Sequence, residues 1–307
     1  MQTILGSNGV IGQNIAKTLP QYTNKIRLVS RQPKKVNETD ELVVADLLIA
    51  DQVNNAVKGS ETVFLTAGIL YRIKLWREQW PVIMNNVIEA CKQHNSKLVF
   101  FDNVYSYGKV NGWMTEETPY NPCSKKGEVR ASIARKLLNE TKTGNLQAMI
   151  VRGADFYGPQ TPLSFLNAMV FENMAKGKKA QLMLNDSTKH SFTYTPDAGK
   201  ATALLGNTAS AYNQVWHVPT DKNALTGKEI VELAAQAFHI QPKYQVLPKW
   251  MIQMAGLFNA DIKEAVEMLY QNENDYLFSS EKFEKAFPDF NITSYKEGIE
   301  QTAASMK

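Results

Sequence analysis

The chain has 307 residues, 44% apolar and 21% charged, and its 34 Lys plus Arg against 30 Asp plus Glu give a formal net charge of +4. These proportions exclude a disordered tail, a collagen-like repeat and a disulfide scaffold, and the length allows about two domains at ~150 residues each. The basic pairs Lys34-Lys35 and Lys178-Lys179 are too short for a nucleic-acid groove, and no apolar run approaches the ~20 residues that cross a bilayer.

In chain order, the strand candidates are Gln2–Leu5, Lys25–Ser30, Glu41–Ala45, Thr62–Ala67, Lys97–Phe101 and Gln147–Arg152. Most are runs of Val, Ile, Leu and Phe with little polar alternation, as strands covered on both faces require. Helical patterns fall between them at Gly9–Leu19, Asp51–Lys58, Pro81–His94 and Gly127–Thr141. Strand–helix–strand alternation with right-handed crossovers predicts an α/β fold, a doubly wound parallel sheet of the Rossmann type. Beyond about Gly153 helical patterns dominate, and Val215–Val218 reads as a late strand returning to the sheet. The expected division is a nucleotide-binding domain over 1–155, with a return near 195–220, and a smaller, mostly helical lobe over 156–307 that binds substrate. Thr226-Gly-Lys-Glu229 and Ser294-Tyr-Lys-Glu297 are capping boxes.

The first strand runs into Gly6-Ser-Asn-Gly9-Val-Ile-Gly12, and a helix with Ile11, Ile15, Ala16 and Leu19 on its apolar face follows. In a nucleotide-binding βαβ unit the first glycine allows the tight turn, the second lets backbone approach a pyrophosphate, and the third lets helix pack on strand. The helix start offers unpaired N–H groups and partial positive charge to the phosphates. Gly6, Asn8, Gly9, Val10, Ile11 and Gly12 are therefore expected at the cofactor. An NAD enzyme usually ends the second strand on a carboxylate for the ribose 2′-hydroxyl. Here that strand ends Leu28-Val29-Ser30-Arg31, with Lys34 and Lys35 following. A guanidinium suits a 2′-phosphate, so Ser30 and Arg31 predict NADP over NAD.

Together these residues resemble the extended short-chain dehydrogenase/reductase family, the NAD(P)-dependent epimerase/dehydratases, over nearly the whole chain. The resemblance also rests on Ala45-Asp46-Leu47, Thr66-Ala67-Gly68, Val104-Tyr-Ser-Tyr107-Gly108, Thr115-Glu-Glu-Thr-Pro119, Val151-Arg-Gly-Ala-Asp-Phe-Tyr157-Gly-Pro159 and Thr195-Pro-Asp197-Ala198. It implies that Asp46 and Leu47 border the adenine, and that Ala67 and Gly68 border the central riboses. Each also has a local explanation, with Asp46 as a helix cap and the small residues as close packing.

The proton-transfer segment departs from the family pattern. Where the resemblance implies a Tyr-x-x-x-Lys pair after Pro-x-Ser, the chain reads Pro122-Cys-Ser124-Lys125-Lys126-Gly127-Glu128-Val129-Arg130. Lys126 stands at the tyrosine's place and Arg130 at the lysine's, while Asp102-Asn103 occupies the stretch where a serine or threonine is usual. Tyr105 and Lys109 repeat the spacing in a loop, where helical geometry does not bring them together. Three readings follow. Lys126 and Arg130 replace the pair in place, with Arg130 on the ribose; or Tyr105 or Tyr71 supplies the proton; or no acid is needed. An exposed helix start is the local explanation of Lys126 and Arg130.

The expected function is an NADP(H)-dependent oxidoreductase or epimerase-like enzyme acting by hydride transfer on a small carbonyl or sugar-like substrate, with Tyr105, Lys126 and Arg130 as catalytic candidates. The alternative is a non-catalytic NADP(H)-binding redox sensor. Nucleotide-sugar members of the family carry an arginine ahead of the Asp197 segment, where this chain has Lys189-His190-Ser191-Phe192. Substrate is expected between the lobes, near Tyr71, Trp76, Tyr105, Trp113, Tyr157 and His190. Cys91 and Cys123 form no CxxC and have no histidine at ligand spacing, so reduced thiols and no metal are expected. With no signal-peptide pattern at the N-terminus, a cytoplasmic protein is expected, with no nucleic-acid or membrane partner and room for a homodimer.

Overall fold

The computed structural model describes residues 1–306. Seven parallel strands form the main sheet: β1 (Gln2–Leu5), β2 (Ile26–Ser30), β3 (Glu41–Val44), β4 (Thr62–Leu65), β5 (Lys97–Asp102), β6 (Ala148–Arg152) and β7 (Val215–His217). Their order is β7-β6-β5-β4-β1-β2-β3. The order reverses between β1 and β4, the point where doubly wound sheets bind ligands beyond the strands' carboxyl ends. β1, β4 and β6 are buried along their full length. That burial explains the apolar runs Ile4-Leu5, Val63-Phe64-Leu65 and Ala148-Met149-Ile150-Val151 within them. β7 pairs with β6 from Val215↔Ile150 to His217↔Arg152, as expected of a late returning strand.

The crossover helices are α1 (Val10–Thr18), α2 (Ala50–Val57), α3 (Ile73–Gln93) and α4 (Lys125–Lys142). α3 begins eight residues before Pro81, which lies inside it rather than at its first turn. Proline removes one ladder hydrogen bond and disfavours a helix interior. Trp76, Trp80, Ile83, Met84 and Val87 are all buried along this helix. Their burial outweighs the missing bond, and a start placed at the proline is corrected accordingly. α5 (Thr195–Gly206), α6 (Gly227–Phe238), α7 (Lys249–Phe258) and α8 (Tyr295–Ala304) complete the principal helices. Thr226 and Glu229 close the expected capping box on α6, and Ser294 accepts the Glu297 N–H on α8.

The chain forms two compact units. Unit 1 comprises Met1–Ser106, Lys125–Arg152 and Ala198–Val218; unit 2 comprises Tyr107–Ser124, Gly153–Asp197 and Pro219–Lys307. Unit 1 holds the main sheet. Unit 2 holds short strand pairs, such as Asp155–Tyr157 with Phe192–Tyr194, around a core that includes Tyr157, Phe171, Tyr194, Ile230, Val231, Tyr295 and Ile299.

Candidate active site

At the carboxyl end of β1 the backbone turns at Gly6, whose φ of +88° lies in the left-handed region that glycine tolerates. A side chain there would put its Cβ 2.5 Å from the Ala67 Cα, and one at Gly12 would sit 2.9 Å from Thr66 Oγ1. Both glycines are thus required by the fold itself. Gly9 differs: its nearest obstacle is 3.4 Å away, so packing does not demand a glycine. Gly9 is the N-cap of α1, which has no side-chain cap and no acidic residue in its first turn. The leading N–H groups of α1 therefore keep their capacity to bind an anion. This is the arrangement a dinucleotide pyrophosphate fits.

The turn after β2 is fastened to this loop. Asn8 donates from Nδ2 to the Gln32 carbonyl at 2.7 Å, and the Gln32 N–H donates to Ser30 Oγ at 3.1 Å. Arg31 lies between these anchors, exposed. It has no ion-pair partner among the described residues. Asp46 accepts the Leu48 N–H on Oδ1 at 2.9 Å, a local turn-forming role, and the Leu47 carbonyl accepts Asn86 Nδ2 at 3.0 Å. Ala67 packs beneath Gly6, and Gly68 is exposed next to it. Val10 and Ile11 form the first turn of α1.

Beyond β4 and β5 the character changes from main chain to charged side chains. Lys126 and Arg130 sit one turn apart on α4, and both are buried. The exposed helix start is therefore set aside for these two. Arg130 donates from Nε to Asp102 Oδ1 at 2.6 Å, and its Nη2 meets the same oxygen. Arg152, placed beside Asp102 by strand register, donates from Nε and Nη2 to Oδ2 at 3.4 and 3.3 Å. One carboxylate thus holds two buried guanidinium groups.

The Arg130 guanidinium lies over Trp80 at 4.3 Å and over Phe100 at 5.0 Å from the ring centroids. Trp76 continues this wall, stacked on Tyr105 with centroids 6.3 Å apart and edge-on to Tyr71 at 5.5 Å. The Trp76 indole N–H donates to the Leu70 carbonyl at 3.1 Å, fixing the loop that carries Tyr71. The Tyr71 and Tyr105 hydroxyls are 3.5 Å apart, at the outer limit of hydrogen bonding. The Lys126 ammonium lies 4.4 Å from the centre of the Tyr71 ring, within cation–π range. Structure therefore gathers Tyr71, Tyr105, Lys126 and Arg130 in unit 1.

Other sequence candidates fall elsewhere. Lys109 is exposed in unit 2 and pairs with Glu273 at 3.7 Å. His190, also in unit 2, is packed between Phe192 and Tyr276, each with centroid 4.4 Å away, and its Nε2 meets Asp155 Oδ2 at 2.9 Å. Trp113 and Tyr157 belong to unit 2 as well. Burial raises the Tyr157 hydroxyl well above the ordinary tyrosine range, with Tyr295 and Tyr194 adding to the effect. No group of three or more His, Cys, Asp or Glu with metal-holding geometry occurs among the described residues, and no helix there is long and apolar enough to cross a membrane.

Comparison with known proteins gives the family. The family model for the NAD dependent epimerase/dehydratase family matches residues 3–218. Sterol-4-alpha-carboxylate 3-dehydrogenase, decarboxylating, from Mus musculus is 22% identical over 340 residues, spanning 99% of this chain and 90% of the relative. The structure of UDP-glucose 4-epimerase from Thermus thermophilus, in complex with NAD, superposes with a TM-score of 0.80 at 20% identity, covering 100% of this chain and 99% of that one. UDP-glucuronic acid 4-epimerase from Bacillus cereus, in complex with NAD, gives 0.81 at 16% identity over 100% and 98%. At these identities the structural likeness shows the fold alone. The match over residues 3–218 shows the lineage: the chain belongs to the NAD dependent epimerase/dehydratase family, the extended short-chain dehydrogenases/reductases.

Proposed function

We propose that this chain is an NADP(H)-dependent oxidoreductase that transfers hydride to or from a small carbonyl or sugar-like substrate, with Tyr71, Tyr105 and Lys126 carrying the proton chemistry. The observation that carries the reading is the pair of tyrosine hydroxyls 3.5 Å apart, with the buried Lys126 ammonium on the Tyr71 ring. Bound NADP(H) supplies the hydride donor or acceptor. The chain's own residues do the rest. The α1 start and the Gly9 backbone hold the pyrophosphate. Arg31, with no carboxylate beside it at the end of β2, meets the 2′-phosphate. Asp46, Leu47, Ala67 and Gly68 border the adenosine and riboses.

Tyr105 is assigned as proton donor or acceptor at the substrate oxygen, with Tyr71 next in line. Lys126 supplies positive charge where negative charge develops on that oxygen, and a buried cation is most effective there. Arg130 is assigned to positioning rather than to the ribose, because its guanidinium is held by Asp102 and stacked on Trp80. The packed state of His190, sandwiched and bonded to Asp155, supports a substrate other than a nucleotide sugar. The substrate class is then a partly apolar carbonyl compound or alcohol.

The test is a panel of carbonyl substrates followed at the nicotinamide absorbance. Tyr105→Phe should lower turnover by about 10²–10⁴-fold, the usual contribution of a positioned acid–base group, while NADPH affinity stays unchanged. Lys126→Ala should lower turnover less. Full turnover in both Tyr105→Phe and Tyr71→Phe would overturn the assignment. Stabilisation by NADPH with no turnover of any substrate would favour a redox sensor.

A further inference from the structure

Two ties fasten the end of β2 to the turn that leads into α1. Before Arg31, the Gly6 and Ser7 N–H groups donate to the Val29 carbonyl at 2.9 and 3.1 Å, and Ser7 Oγ donates to the same oxygen at 3.3 Å. After Arg31, Asn8 Nδ2 donates to the Gln32 carbonyl at 2.7 Å. Ser30 and Arg31 are therefore spanned by fixed points on both sides. Ser30 is also held from within: its carbonyl accepts the Ala45 N–H at 3.0 Å, and its Oγ accepts the Gln32 N–H at 3.1 Å.

The two ties differ in kind. The first is made mainly by main chain and survives most changes of side chain. The second depends on a single side-chain amide. Asn8 is exposed and is not among the residues with positive φ, so neither packing nor backbone conformation demands an asparagine there. Its own carbonyl accepts Gln13 Nε2 at 3.3 Å, which anchors the residue to α1. What the amide holds is the far end of the Arg31 turn. Arg31 is exposed, and a long exposed side chain gives up rotamer freedom when it grips a ligand. A turn fixed in advance lowers the remaining ordering cost.

We propose that Asn8 is a positioning residue for dinucleotide selectivity: its amide fastens the Arg31 turn to the Gly6–Gly12 loop and so sets how well the guanidinium meets a 2′-phosphate. This rests on the assignment of Arg31 to that phosphate, and it makes Asn8 act through Arg31 rather than by touching the cofactor. The test is calorimetric titration of wild type, Asn8→Ala, Arg31→Ala and the double variant with NADPH and with NADH. Asn8→Ala should weaken NADPH binding about threefold to tenfold, the worth of one hydrogen bond, and leave NADH binding within about twofold. Retained NADH binding also shows that the variant folds. With Arg31→Ala already present, Asn8→Ala should leave the NADPH-to-NADH ratio unchanged, because a residue that acts through another is coupled to it. Equal losses of NADPH and NADH affinity in Asn8→Ala would overturn the proposal, since the amide would then support the loop alone. So would an equal fall in the ratio with and without Arg31, which direct contact with the phosphate would produce, or no fall at all. Failure of the Arg31 assignment looks different: wild type and Arg31→Ala would then share one ratio, which overturns both assignments, whereas the other results overturn that of Asn8 alone.

Discussion

The two units bury polar groups in opposite ways. In unit 1, charge converges: Lys126, Arg130, Arg152 and Asp102 are all buried at or beyond the carboxyl ends of β5 and β6. In unit 2 the buried polar groups are mainly neutral, with Tyr157, Tyr194 and Tyr295 clustered in its core and threonine hydroxyls paired, as in Thr193 with Thr220 at 2.9 Å. Its buried carboxylate Asp197 accepts a main-chain N–H, that of Thr293, at 2.7 Å. Burying a cation is costly unless it is paired, whereas a hydrogen-bonded hydroxyl is buried at little net cost. Concentrated buried charge therefore sets unit 1 apart, while unit 2 buries mainly neutral polar groups.

This contrast predicts different weak points. The largest effect belongs to Asp102→Ala, which leaves two buried guanidinium groups without their shared carboxylate. It should cost about 3–5 kcal/mol in urea unfolding, and a loss below about 1 kcal/mol would show that the cluster is solvated. In unit 2 alkali should act through the tyrosine core. Burial raises the Tyr157, Tyr194 and Tyr295 hydroxyls above the usual tyrosine range. Folding thus favours the neutral phenols. That stabilisation is complete below the unfolded value of about 10 and is lost as pH rises past it. Stability should fall as pH rises past that value, with tyrosinate absorbance developing late; in unit 1 the Cys91 thiol and the Tyr212 hydroxyl, both pushed up by burial, add to the loss, the thiol from a lower pH. Three tyrosines titrating normally in the folded protein would break the contrast. The smallest effect is expected at the surface of unit 2, where Thr226→Ala removes the α6 capping box and should cost about 1 kcal/mol by thermal melting.

The parallel sheet was legible because its buried strands are rich in Val, Ile, Leu and Phe with little polar alternation, and the β1–α1 turn because glycine spacing there is dictated locally. Gly6 and Gly12 prove to be needed for packing, whereas packing does not demand a glycine at Gly9. Pro81 misled the reading of α3, since burial of Trp76 and Trp80 overrides a local helix-breaking preference. The Asp102–Arg130–Arg152 cluster had no local signal: its members lie 28 and 50 residues from Asp102 and meet only through tertiary packing. Lys126 and Arg130 were placed by their spacing in the family pattern, but their burial, and the tyrosine pair beside Lys126, emerged from the fold. His190 likewise gained its sandwich and its carboxylate partner from residues distant in sequence.

On this reading the turn from β1 into α1 holds a nicotinamide dinucleotide. Calorimetric titration of the purified chain with NADPH and with NADH tests it most directly. Binding of both is expected, tighter for NADPH, with the order reversed in Arg31→Asp. Absence of measurable affinity for either dinucleotide would mean that this turn holds no such cofactor.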